Sequence, residues 1–284
     1  MQLDIEASFV NGEDIRRIVS SAVADATEAV TGEKITTIPS MTWQEAMERF
    51  GSDKPDIRFD LELVDLTDIF KSTEFRAFQA PCIKGIRVPG GAEYSRSRLD
   101  ELTDKSQNWG AKGLAWIKIE DSEMVSPISK FLSEEEKTSL NSKMSGEEGD
   151  LLLLVADEWS TVCHVLGLVR LEIGKPPINE GGFHFLWVVD FPLFEGTDEN
   201  GNPSSSHHPF TMPHKDDLAL LEDGALTREQ IIIKTLSALN YSNYLLIGFG
   251  VICIIFLCTT YDLSLIHISE PTRQEAISYA VFCL

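Results

Sequence analysis

A chain of 284 residues is long enough for a sizeable core and sets a soft expectation of about two domains. Its 45 acidic against 24 basic residues give a net charge of -21, a surface that repels phosphate backbones and argues against nucleic-acid binding by this piece taken alone. The five cysteines, Cys82, Cys163, Cys253, Cys258 and Cys283, are odd in number and form no C-x-x-C pair, so neither a disulfide framework nor a zinc site is indicated, and a reducing cytosol fits best.

The chain opens on a strand pattern. Leu3, Ile5, Ala7 and Phe9 alternate with Gln2, Asp4, Glu6 and Ser8, which places Asp4 and Glu6 on one face, and this acidic start lacks the basic-then-apolar order of a signal peptide. From Asn11 the apolar positions Ile15, Ile18, Val19, Ala22, Val23, Ala26 and Val30 recur at helical spacing, so a helix should run from an Asn cap to Gly32. Thr42-x-x-Glu45 reads as a capping box opening a second helix through Ala46, Met47 and Phe50 and ending at Gly51. A turn-rich hexapeptide follows, Gly51-Ser52-Asp53-Lys54-Pro55-Asp56, in which Pro55 forces Lys54 into an extended conformation.

Phe75 to about Gly182 alternates strand and helix and reads as a separate α/β module. Ile83–Val88 is a predicted strand closed by Pro89-Gly90-Gly91, Ser97–Trp109 a helix, and Gly113–Ile119 a strand. Ser133-x-x-Glu136 caps another helix that ends near Gly146, Asp150–Ala156 is a continuous apolar strand, and Trp159–Leu171 a closing helix. Its cations Arg87, Arg96, Arg98 and Lys112 have no aromatic residues interleaved with them, so they read as solvated surface rather than as an RNA contact.

The densest apolar run then delivers a polar loop. Phe185–Val189 has the length and β-branched content of a buried strand, and Pro192 marks where regular pairing should stop. A Gly/Asn/Ser loop leads to His207-His208-Pro209-Phe210-Thr211-Met212-Pro213, two adjacent histidines flanked by prolines that restrict the backbone. Adjacent histidines lack metal-ligand spacing, so no metal site is read here.

Together these stretches resemble one family. Asp-Phe-Pro-Leu-Phe-Glu at 190–195 followed by His-His-Pro-Phe-Thr-Met-Pro at 207–213 is similar to the bacterial-type aspartyl-tRNA synthetases, which are class II enzymes. Gln-Leu-Asp-Ile-Glu-Ala-Ser-Phe at 2–9 resembles the second strand of class II motif 2, and the hexapeptide 51–56 resembles a loop of the catalytic domain. Ile-Arg-Val-Pro-Gly-Gly-Ala at 86–92, Ala-Lys-Gly-Leu-Ala-Trp-Ile-Lys at 111–118 and Ser-Pro-Ile-Ser-Lys-Phe-Leu at 126–132 resemble the insertion domain shared with subunits of tRNA-dependent amidotransferases.

The resemblance implies an α+β fold, part of a class II antiparallel catalytic sheet with an inserted α/β module. It also implies a cytoplasmic homodimer that activates L-aspartate with ATP and Mg²⁺ and esterifies it onto tRNA. Asp4 would face the substrate ammonium group, and His207 and His208 would lie over the amino-acid pocket. No stretch matches motif 1, the motif 2 arginine, the metal-holding strand or the motif 3 arginine, so no ATP-binding residue is assigned and the chain is expected to be inactive by itself.

After Gly224 the resemblance stops. Tyr244–Thr259 is an almost wholly apolar stretch of 16 residues, just under the roughly 17 that a membrane span needs. Leu263–Arg273 and Ile277–Leu284 back-translate with ordinary codons into strings that resemble sequencing-adaptor DNA, so 263–284 is expected to be adaptor-derived and 225–262 off-frame or non-coding. The expected division is therefore 1–74 and 183–224 for the two catalytic segments and 75–182 for the insertion domain. Two rival readings are a non-catalytic tRNA-binding or regulatory module built on the insertion domain, and a tail-anchored membrane protein with an acidic cytosolic head. The paired histidines speak against the first and the adaptor-like end against the second.

Overall fold

The computed structural model describes residues 10–121, 123–174, 183–197, 199, 203–206, 232–233 and 280–282. They fall into two compact units, one within Met1–Trp43 and Phe185–Val281, the other within Gln44–His184 and Phe282–Leu284.

The first unit is organised by α1, Gly12–Thr31. Both ends follow from the sequence: the Asn11 side chain accepts from the Asp14 amide at 2.9 Å while the Asp14 carboxylate accepts from the Asn11 amide at 3.2 Å, closing a capping box. At the other end Gly32 takes a left-handed φ of 77° and its N–H donates to the Glu28 carbonyl at 2.9 Å. Ile15, Val19, Val23 and Thr27 bury one stripe, and the first three pack on Trp187. Trp187 lies in β7, Phe185–Val189, and donates its indole N–H to Ser20 Oγ at 2.9 Å. β7 pairs in parallel with β1, Ser40–Thr42, in the register Ser40 to Trp187 and Thr42 to Val189. The sequence led us to expect antiparallel sheet here. A parallel pair is possible because about 140 residues of chain, the second unit among them, separate the two strands. The predicted strand at Leu3–Phe9 lies outside the described residues.

The second unit holds a five-stranded sheet in the order β2-β3-β6-β4-β5: Leu63–Asp65, Cys82–Val88, Leu151–Asp157, Ala115–Glu120 and Glu123–Val125. Every neighbouring pair is antiparallel, which corrects the α/β reading of this module. The cause is topological. β3 and β4 are each antiparallel to β6 and so run in the same direction, joined through helix α3 (Arg96–Asn108) as a strand-helix-strand unit, but β6 sits between them. Local pattern registers the crossover; it cannot register a strand arriving 30 residues later to split it.

β6 is buried from Leu151 to Val155 because both faces of the sheet are covered. Leu151, Leu153 and Val155 join Ile86 and Val88 under α3 and α5, Trp159–Gly174. Leu152 and Leu154 join Ile83, Ile117 and Ile119 under α4, Glu134–Met144, with Leu66, Phe70 and Phe78 completing that layer. The Ser133–Glu136 capping box is present, with the Ser133 hydroxyl accepting from the Glu136 amide at 3.2 Å and the Glu136 carboxylate accepting from the Ser133 amide at 2.7 Å.

The compact unit starts well before residue 75. β2 adds the edge strand beside β3, with Leu63 opposite Ile86 and Asp65 opposite Lys84. Helix α2, Trp43–Phe50, buries Ala46 and Phe50 and carries Glu48, whose carboxylate accepts from the fully buried Lys84 ammonium and, at 2.8 Å, from the Trp159 indole.

Candidate functional site

Asp4, His207 and His208 all lie outside the described residues. The described chain leads up to the histidines. β7 ends at Val189, and the break falls at Asp190, ahead of Pro192, where the backbone takes a φ of 58°. Left-handed backbone is uncommon outside glycine, Asp tolerates it better than most residues, and such positions gather at functional sites. The sequence places the end of regular pairing at Pro192, two residues after the break, because the preference of an aspartate for this backbone region is too weak to mark the position.

Past this turn, β8 (Phe191–Pro192) leads into β9, Phe194–Thr197, which pairs antiparallel with β10, Pro203–Ser205. Ser206 is buried and donates its N–H to the Leu193 carbonyl at 3.0 Å. The residue immediately before His207 is thus fixed to the bend at Leu193, between β8 and β9.

In the second unit the hexapeptide and its continuation form a self-bonded loop. Ser52 Oγ accepts from the Lys54 amide at 3.2 Å. Asp56 accepts from the Arg58 amide at 3.0 Å and from the Arg58 guanidinium at 2.6 Å, and both side chains of that pair are largely shielded from water. The Arg58 side chain holds the Asp56 carboxyl below the usual carboxylate range, against the opposing effect of burial.

The module's cations pair with its own carboxylates. Arg87 bonds Asp150 at 2.5 Å, Arg96 bonds Asp100 at 2.9 Å and lies 5.2 Å from the Trp116 ring centre, Arg98 bonds Glu101 at 2.8 Å and Glu172 at 3.0 Å, and Lys112 bonds Asp157 at 3.0 Å. Burial pushes the Cys82 thiol up to about 11 and the Cys163 thiol up to about 12, so both are neutral at physiological pH and unsuited to act as thiolates. Among the described residues no three His, Cys, Asp or Glu side chains are grouped so that they could hold a metal ion.

Comparison with known proteins gives this geometry its context. Residues 76–166 match the GAD domain. Over 230 residues the chain is 45% identical to an aspartate–tRNA(Asp/Asn) ligase of Bacillus subtilis, a match covering 78% of this chain and 39% of the relative. It is 45% identical over 228 residues to the enzyme of that name from Halothermothrix orenii, and 44% identical over 230 residues to the aspartate–tRNA ligase of Listeria monocytogenes, with the same shares covered. The chain therefore spans about two fifths of the length of the curated relatives it matches. Across 78% of its length the chain thus matches a stretch of the bacterial aspartate–tRNA ligases, and its residues 76–166 match the GAD domain.

Proposed function

We propose that the chain is a stretch of an aspartate–tRNA ligase, a cytoplasmic, homodimeric enzyme that activates L-aspartate with ATP and transfers it to tRNA. The observation that supports this is the 45% identity over 230 residues to enzymes of that name. Activation is an in-line attack of the substrate α-carboxylate on the α-phosphate of ATP, so the protein's task is to position the reactants and balance charge. Mg²⁺ would neutralise phosphate charge during that step, but no described residues are grouped to hold it, and neither ATP nor Mg²⁺ is assigned to a residue of this chain.

Recognition of the amino acid is what this stretch would supply. Asp4 would pair with the substrate ammonium group, and His207, with a smaller contribution from His208, would donate to the side-chain carboxylate, which needs a donor once water is excluded. An imidazole that meets a carboxylate is favoured in its charged form, so its pKa rises on binding from about 6.5. Aspartate affinity should then be full below the free pKa and weaken as pH rises through the bound one.

The test uses a chimera in which this chain's matched residues replace their counterparts in the Bacillus subtilis enzyme, so that the flanks come from a complete ligase. His207→Ala should raise the aspartate KM about 10- to 100-fold, the equivalent of one lost charged hydrogen bond, leave the KM for ATP near its parental value and flatten the pH dependence. Aspartate KM values that stay parental from pH 6 to 8 would remove His207 from the pocket.

A further inference from the structure

A second stripe of α5 holds a different segment of chain. While Val162, Val165, Leu166 and Val169 of this helix enter the sheet core, Cys163, Gly167, Arg170 and Gly174 fall at four-, three- and four-residue steps along another face. Each of the four meets the stretch from Phe50 to Asp60. A Cβ on Gly51 would stand 2.1 Å from the Cys163 carbonyl oxygen, and one on Gly167 would stand 2.5 Å from the Gly51 carbonyl oxygen, so the two backbones touch where neither residue has a side chain. A Cβ on Gly174 would come within 2.1 Å of the Phe59 ring.

Arg170 closes the contact. It is among the most deeply buried residues of the described chain, at 1% exposure, with its guanidinium 4.8 Å from the Phe50 ring centre and 4.1 Å from that of Phe59. Its Nη2 donates to the carbonyls of Phe59 at 2.7 Å and Asp60 at 3.1 Å. The Asp56 and Glu62 carboxyls are held below the usual range chiefly by hydrogen bonds from Arg58 and Arg49, with the Arg170 charge adding in the same direction.

We infer that Arg170 is a positioning residue that fixes the loop Gly51–Asp60 on this stripe of α5, so that the loop's shape is set by that helix. An arginine suits the task because one planar group can stack on two rings while donating to two carbonyls in its own plane. Lysine offers a point charge and cannot do both. The consequence is a coupling across more than 100 residues of sequence: the loop and α5 open together or not at all. This inference does not depend on the reading of function.

Hydrogen exchange by mass spectrometry on the full chain tests it. The probes are peptides covering 52–60, where the Lys54 and Arg58 amides bond to Ser52 and Asp56. Arg170→Lys should speed exchange in those peptides about 10- to 100-fold while peptides of β3 and β6 keep their rates, and trypsin should gain access to the Arg58–Phe59 bond. An equal rise in the loop and in the sheet would reduce Arg170 to a general stability residue and overturn the inference, as would no change in the loop. Should the variant fail to fold, the unaltered chain decides: in a series of sub-denaturing urea concentrations, loop and α5 peptides should converge on a common opening free energy. Loop peptides that exchange freely while α5 stays protected would contradict the inference.

Discussion

Leu152→Ala and Leu153→Ala each destabilise the second unit by about 2 to 5 kcal/mol, although the two side chains point to opposite faces of the sheet. Leu153 stands between Ile86 of β3 and Trp116 of β4, in the layer under α3 and α5. Leu152 stands between Arg87 and Ile117, in the layer under α4. Both are fully buried, so truncation leaves a cavity on either side in addition to the lost transfer free energy. Urea unfolding with an unchanged slope is the measurement. If β6 lined a sheet with one solvated face, one of the two substitutions would be close to neutral, and that result would break the two-layer description.

The second large effect lies at α2. Glu48→Ala should cost about 3 to 5 kcal/mol, because it removes the carboxylate facing the fully buried Lys84 ammonium and takes the acceptor from the Trp159 indole. Among the described residues Lys84 would keep the Glu48 main-chain carbonyl, 3.2 Å away. The cost belongs to the uncompensated charge more than to the pair itself. Lys84→Met combined with Glu48→Gln should therefore recover stability to within about 1 kcal/mol of the parent, since the amide oxygen still accepts from Trp159 and no charge is left buried. A double variant as unstable as Glu48→Ala would show that the ion pair contributes attraction well beyond its desolvation cost.

These two sites separate what a sequence makes legible from what it does not. The ends of α1 and α4 were readable because capping is a local event settled within four residues, Asn11 with Asp14 and Ser133 with Glu136. The burial of β6 was readable too, since an unbroken Leu-Leu-Leu-Leu-Val run admits no solvated face. Its place between β3 and β4, and hence its antiparallel pairing, depends on partners more than 30 residues away and leaves no periodic trace.

Lys84 has its carboxylate partner 36 residues upstream on another element, which no local pattern marks. Arg170 is similar, an arginine in a helix apolar on nearly every side, whose acceptors lie 110 and 111 residues away. For the substrate residues the order is reversed. Asp4, His207 and His208 were reached through family resemblance, and the structure contributes the left-handed turn at Asp190 and the anchored Ser206 that lead to the histidine loop.

Amino-acid-dependent ATP–pyrophosphate exchange by the chimera carrying this chain's matched residues in the Bacillus subtilis ligase puts the functional proposal to its most direct test. The account predicts exchange that requires aspartate, is not supported by glutamate and falls at subsaturating aspartate when His207 is Ala, while the chain by itself gives none. A folded chimera that is silent with aspartate, or that exchanges with a different amino acid, would contradict the assignment of this stretch to aspartate recognition.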